Sequence, residues 1–185
     1  MRHILRRREL TEDEWRYLGE NGPAGAALIV PLSQLHGDPE RWRQHAGPLG
    51  AQLAPADRVE DLVQDLPRLS LVAVEFPSAG DGRGYSQGRL LRNRWGFSGE
   101  LRAFGAGVRQ DQVYLLTRCG FDAVQLAEGE DPEAAKRALT RYDVAYQPGA
   151  PQLALREQRF HEQIDPKAAG QGPAGTTAAA GRFSH

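Results

Sequence analysis

The chain has 185 residues and a formal net charge of −1. That length allows one domain and hardly two, and that charge excludes bulk electrostatic attraction to nucleic acid or to an anionic membrane. Its one cysteine, Cys119, excludes an intramolecular disulfide and a cysteine-built zinc or iron–sulfur site within one chain, and suits a cytoplasmic, reducing compartment.

Residues 1–20 are strongly charged around Trp15, Tyr17 and Leu18 and read as a short arm that docks through these three side chains. Arg2, Arg6, Arg7 and Arg8 imitate the start of a secretory signal, but Glu9-Leu10-Thr11-Glu12-Asp13-Glu14 follows where an apolar region would be needed. The longest apolar run, around Ala24–Leu32, is too short to span a bilayer. Ala26–Leu32 predicts a buried strand closed by Pro31, Pro39–Ala46 a helix, and Gly50–Ala54 a second strand. Asp57 and Glu60 form a D-x-x-E start for a helix through Val59, Leu62, Val63 and Leu66, closed by Pro67.

Leu71–Phe76 is a near-continuous apolar run, as expected of a strand covered on both faces. The glycine-rich loop Ser78–Gly84 leads into a predicted helix from Tyr85 to Trp95. A strand over Glu100–Phe104, a helix over Arg109–Arg118 and a strand over Ala123–Ala127 follow. Asp131 caps, and Pro132 opens, a further helix running to Arg141, before a last strand over Asp143–Tyr146. Leu153–Ile164 suits a short amphipathic helix, and 166–185 is a disordered Ala/Gly-rich tail. Residues 21–165 then form one α/β domain. Its consecutive βαβ units give a mainly parallel sheet of five or six strands, as an open doubly wound sheet or a partial barrel.

Ligands of parallel α/β sheets bind at the carboxyl ends of the strands. There the segment Asp81-Gly82-Arg83-Gly84-Tyr85-Ser86 opens a helix, and Arg89 and Arg92 sit three residues apart on it. With Arg102 these residues suit a site for a small anion; the alternative is a turn followed by a solvated basic face. The spacing of Gly80, Gly82 and Gly84 fits neither a P-loop nor a dinucleotide fingerprint. Asp81 reads as a general acid/base or as the cap of its own turn. Glu75, near the carboxyl end of an apolar strand, reads as a site residue or as an ion-pair partner of Arg102. Cys119 reads as a packed core residue. The five histidines show no metal-binding spacing, so no metal site is expected, and no cofactor is assigned.

The stretch Phe76–Leu126 resembles the core signature of an uncharacterised bacterial family that carries the label of an oxidoreductase in sulfite reduction. The matching positions are Asp81, Gly82, Arg83, Gly84, Tyr85, Ser86, Arg89, Arg92, Gly99, Glu100, Arg102, Gly105, Asp111, Gln112, Arg118, Cys119 and Asp122. Gly88 stands where that signature has alanine, and Ala106 where it has aspartate. The resemblance implies a place beside the sulfite reductase haemoprotein in assimilatory sulfur metabolism. Sulfite reduction itself needs several cysteine ligands, so an accessory role fits these residues better. An enzyme with an arginine-lined anion site, and an oxidoreductase with a non-standard cofactor site, are the alternatives.

Overall fold

The structure is a computed structural model and describes residues 3–6 and 9–140. Among the described residues, eight strands form a single sheet in the order β2-β1-β8-β7-β6-β5-β4-β3. They are β1 (His3–Arg6), β2 (Glu9–Glu12), β3 (Arg16–Tyr17), β4 (Leu28–Pro31), β5 (Leu49–Leu53), β6 (Leu71–Glu75), β7 (Glu100–Phe104) and β8 (Ala123–Val124). Strands β3 to β8 are parallel, whereas β1 pairs antiparallel with both β2 and β8. Six α-helices accompany them among the described residues: α1 (Leu32–Gly37), α2 (Pro39–Arg43), α3 (Val59–Leu62), α4 (Arg83–Arg89), α5 (Val113–Arg118) and α6 (Pro132–Thr140).

The parallel strands follow one another in sequence order without a reversal, which rules out the doubly wound alternative and leaves the partial barrel. The strand count exceeds the expected five or six because the charged arm supplies three strands of its own. Its β1–β2 hairpin escaped the sequence reading because the pattern His-Ile-Leu-Arg to Glu-Leu-Thr-Glu is charged at both ends and short. The strand expected over Ala123–Ala127 is confined to Ala123–Val124. The expected strand at 143–146, the helix at 153–164 and the tail at 166–185 lie outside the described residues.

Curvature follows from connectivity. Flat, eight strands would set β2 and β3 about 34 Å apart, seven spacings of roughly 4.8 Å. Four Cα–Cα steps from Glu12 to Arg16 reach at most about 15 Å. The sheet therefore curls into a half-barrel, and the Asp13–Trp15 strap crosses its concave side. Alternation along the strands sorts the side chains. Leu49, Ala51, Leu53, Val72, Val74, Leu101, Ala103 and Val124 belong to the main core, together with Leu62, Leu91 and Leu116 of the outer segments. Ile29, Leu71 and Ala73 face the concave side and are covered by Trp15, Tyr17 and Phe104.

Two local expectations fail for identifiable reasons. The Asp57 carboxylate accepts from the Ala54 amide at 2.8 Å, which closes a turn instead of capping a helix, and α3 is a single turn with Arg58 as its N-cap. The helix expected over Tyr85–Trp95 is α-helical only to Arg89, and Leu90–Arg94 forms a π turn in which Trp95 N–H bonds to the Leu90 carbonyl.

Candidate functional site

The loops at the carboxyl ends of β6, β7 and β8 brace one another. Gly107 N–H donates to the Phe76 carbonyl at 2.7 Å, and Gln112 Nε2 to the Ala79 carbonyl at 3.2 Å. Gln110 N–H donates to Glu130 Oε2 at 2.8 Å, and Ala127 N–H to the Val108 carbonyl at 2.9 Å. Gly105 sits at φ +116° with the Phe76 carbonyl 2.5 Å from where a Cβ would be, so glycine is required both by conformation and by the close approach of the two loops.

The Asp81–Tyr85 segment is the outward part of this surface. Asp81 accepts from the Arg83 amide at 3.1 Å, and its carboxylate takes the Arg83 guanidinium at 3.0 and 2.6 Å. It thus caps its own turn. The Arg83 guanidinium, followed by the Arg83 amide, holds the Asp81 carboxyl below the usual aspartate range. The exposed N-terminal amide of α4 is in this way already engaged by a carboxylate of the chain itself. Arg83 and Ser86 are exposed, Gly82 is exposed, and Gly84 is buried against the Phe76 ring. Tyr85 is half-buried, its ring edge-on to Phe76 at 5.1 Å, and burial pushes its hydroxyl pKa up.

The four arginines expected at one anion site are not brought together. Arg89 is exposed, but Arg92 is buried, because the π turn resets which face the residues after Leu90 present. Arg92 donates to the carbonyls of Gly120 and Gly99, each at 2.9 Å, and also to the Phe97 carbonyl and the Asp122 carboxylate. Arg102 is 0 % exposed on the concave side. Its Nη1 lies 2.9 Å from Asp13 Oδ2, and its Nε and Nη2 lie 3.1 and 3.0 Å from Glu100 Oε1. Arg6 Nε stands 2.9 Å from the other Glu100 oxygen, as an ion pair without hydrogen-bond alignment. Two guanidiniums and two carboxylates therefore neutralise one another inside the half-barrel, as buried charges must.

Glu75 is not the partner of Arg102. It shares the concave face, one strand away, but Asp13 arrives on the strap and Glu100 lies two residues along the same strand, and these engage all three guanidinium nitrogens. The Glu75 carboxylate has neither an ion pair nor a hydrogen bond among the described residues and is partly exposed. Beside it on β7 is Phe104, its register partner. Tyr17 lies against Phe104 with ring centroids 5.2 Å apart, and Tyr17 Oη donates to Gln125 Oε1 at 3.1 Å.

Cys119 is buried, and that burial raises its thiol pKa against the opposing influence of Arg89 and Arg118. No group of three or more His, Cys, Asp and Glu is placed to hold a metal among the described residues. Gly88 is packed against Phe121, with ring atoms 2.5 Å from where a Cβ would be, so its meaning is close packing rather than a weakened helix.

Asp13 and Gln125 escaped the sequence reading, which took Tyr17 only as a docking side chain of the arm. A signal was present: Asp13, Trp15 and Tyr17 alternate with period two, which puts all three on one side of an extended segment.

The comparison with known families decides the membership. The chain belongs to the family described as bacterial protein of unknown function, DUF934, which matches residues 50–155. The family match spans β5 to α6 and includes the braced loops and Arg102, whereas the strap residue that pairs with Arg102 lies before it. No curated protein matches the chain. No helix among the described residues is long and apolar enough to cross a membrane.

Proposed function

We propose that this DUF934 member is a cytoplasmic accessory protein of assimilatory sulfite reduction that docks on the sulfite reductase haemoprotein through its Asp81–Tyr85 loop. The pathway comes from the resemblance of Phe76–Leu126 to the sulfite-reduction signature. The observation that carries docking, as opposed to chemistry, is the division of the signature's charges. Arg92, Asp122, Glu100 and Arg102 are spent on the interior, whereas the Asp81–Arg83 pair stands on a braced loop with the Arg83 side chain 60 % exposed. An outward guanidinium held in place by Asp81 suits recognition of a protein surface, where polar groups set register and partner choice.

Growth of a deletion strain on sulfate, sulfite, sulfide or cysteine as sole sulfur source tests this reading. Failure on sulfate and sulfite with rescue by sulfide and cysteine is expected, and complementation by Arg83→Glu should fail. Purified protein should also retain the haemoprotein in a pull-down and lose it in Arg83→Glu. Normal growth on all four sources, together with no retained haemoprotein, overturns the proposal.

A second reading, an enzyme acting on a small metabolite, is favoured by Glu75 alone, a carboxylate without a partner among the described residues at the carboxyl end of a barrel strand. In barrel folds that end carries the chemistry. The arginine-lined anion site that this reading calls for loses Arg92 and Arg102 to the interior.

A further inference from the structure

We infer that the carboxyl-end mouth of the half-barrel is a binding site for a small organic cation, an ammonium or guanidinium group held by Glu75. The alternation of β5, β6 and β7 puts Gln52, Glu75 and Phe104 on the concave side, and Gln125 continues β8 one residue beyond its last paired position. All four are partly exposed.

The electrostatics select the ligand's sign. Beneath the mouth, Arg6, Asp13, Glu100 and Arg102 are mutually paired, and Arg102 and Asp13 have side chains 0 % exposed. Among the described residues, an oxyanion entering from the carboxyl end finds these guanidiniums already paired and faces the Glu75 carboxylate. A cation meets that carboxylate and, directly beside it, an aromatic surface. Glu75 and Phe104 are register partners on adjacent strands, about 4.8 Å apart. The Tyr17 ring extends that surface at 5.2 Å. A carboxylate next to aromatic faces is the arrangement that holds ammonium and guanidinium groups through charge and cation–π attraction.

The polar groups around the mouth set the shape of the rest of the ligand. Tyr17 Oη occupies Gln125 Oε1 at 3.1 Å, which fixes the amide orientation. The Gln125 Nε2 and the Gln52 amide have no partner among the described residues and can meet a hydroxyl or carbonyl carried by the same ligand. Because Glu75 has no partner to lose, its function separates from its contribution to folding.

The test is thermal unfolding of the full-length protein with agmatine, putrescine and arginine as cationic probes and sodium sulfate as the anionic one. At a probe concentration 100-fold above its Kd, a rise in melting temperature of roughly 5–10 °C is expected. Glu75→Gln should keep the unliganded melting temperature and lose the rise. In a titration followed by NMR, agmatine should shift the Tyr17 and Phe104 ring signals. Absence of a rise with all three cations, an equal rise in Glu75→Gln, or a sulfate effect that matches theirs overturns the inference. So does a Glu75→Gln protein that fails to fold, since it would show Glu75 to be a structural residue. The experiment involves no haemoprotein, so its outcome is independent of the docking proposal.

Discussion

Arg102 on β7 and Arg83 at the start of α4 are each paired with an aspartate, at 2.9 and 2.6 Å, yet one side chain is 0 % exposed and the other 60 %. The chemistry of the two pairs is the same, and their surroundings differ. Inside the half-barrel a guanidinium that lost its carboxylates would be stranded away from water, so the interior pair is obligatory. At the carboxyl-end loop water reaches the Arg83 guanidinium, so that side of the pair is free to be exchanged for a contact with another molecule. Burial, and not residue type, divides the charged positions of the family stretch into scaffold and surface.

The sharpest way to break this comparison is to remove each arginine in turn. Arg102→Leu removes the buried cation that Asp13 and Glu100 share, and leaves Glu100 with Arg6. It should cost about 3–5 kcal/mol and lower the melting temperature by roughly 10 °C or more, measured by calorimetry. Arg83→Leu should leave the melting temperature at the wild-type value. Equal effects would mean that the two pairs do the same work.

A smaller effect is expected where the two regions join. Gly105→Ala forces a side chain into a left-handed conformation against the Phe76 carbonyl, and should destabilise by about 1–3 kcal/mol in urea unfolding. Ala106→Gly next to it, at an exposed position, should change stability far less.

The smallest effect is a titration. The Arg83 guanidinium depresses the Asp81 pKa, so their attraction is present above the ordinary aspartate range and is lost as the pH falls through the depressed value. The Asp81 carboxyl carbon, followed by NMR, should titrate below ordinary aspartate, and Arg83→Leu should return it upward. No change on substitution would mean that the pair does not persist in solution.

Much of the scaffold is legible in particular residues. Leu71–Phe76 is apolar at every position but Glu75, and it forms a central strand; Glu100–Phe104 forms the strand its boundaries predict. Asp131-Pro132 opens α6, with Asp131 Oδ1 accepting from the Glu133 amide at 2.9 Å. Cys119 packs in the core as its apolar neighbours suggest. The arm is less legible, because its strands are short and β1 takes its second partner, β8, from the far end of the sheet-forming sequence.

The sequence by itself determined the α/β class, the parallel run of strands and the position of the Asp81–Tyr85 turn. Each depends on local periodicity, glycine and proline placement, or a capping side chain. Only the tertiary structure decided that the sheet curls, that Asp13 reaches Arg102 across 89 positions, and that Glu75 is left without a partner among the described residues. Those outcomes depend on which distant groups arrive first at a buried charge. The period of a strand shows which face a side chain takes, but not what crosses that face.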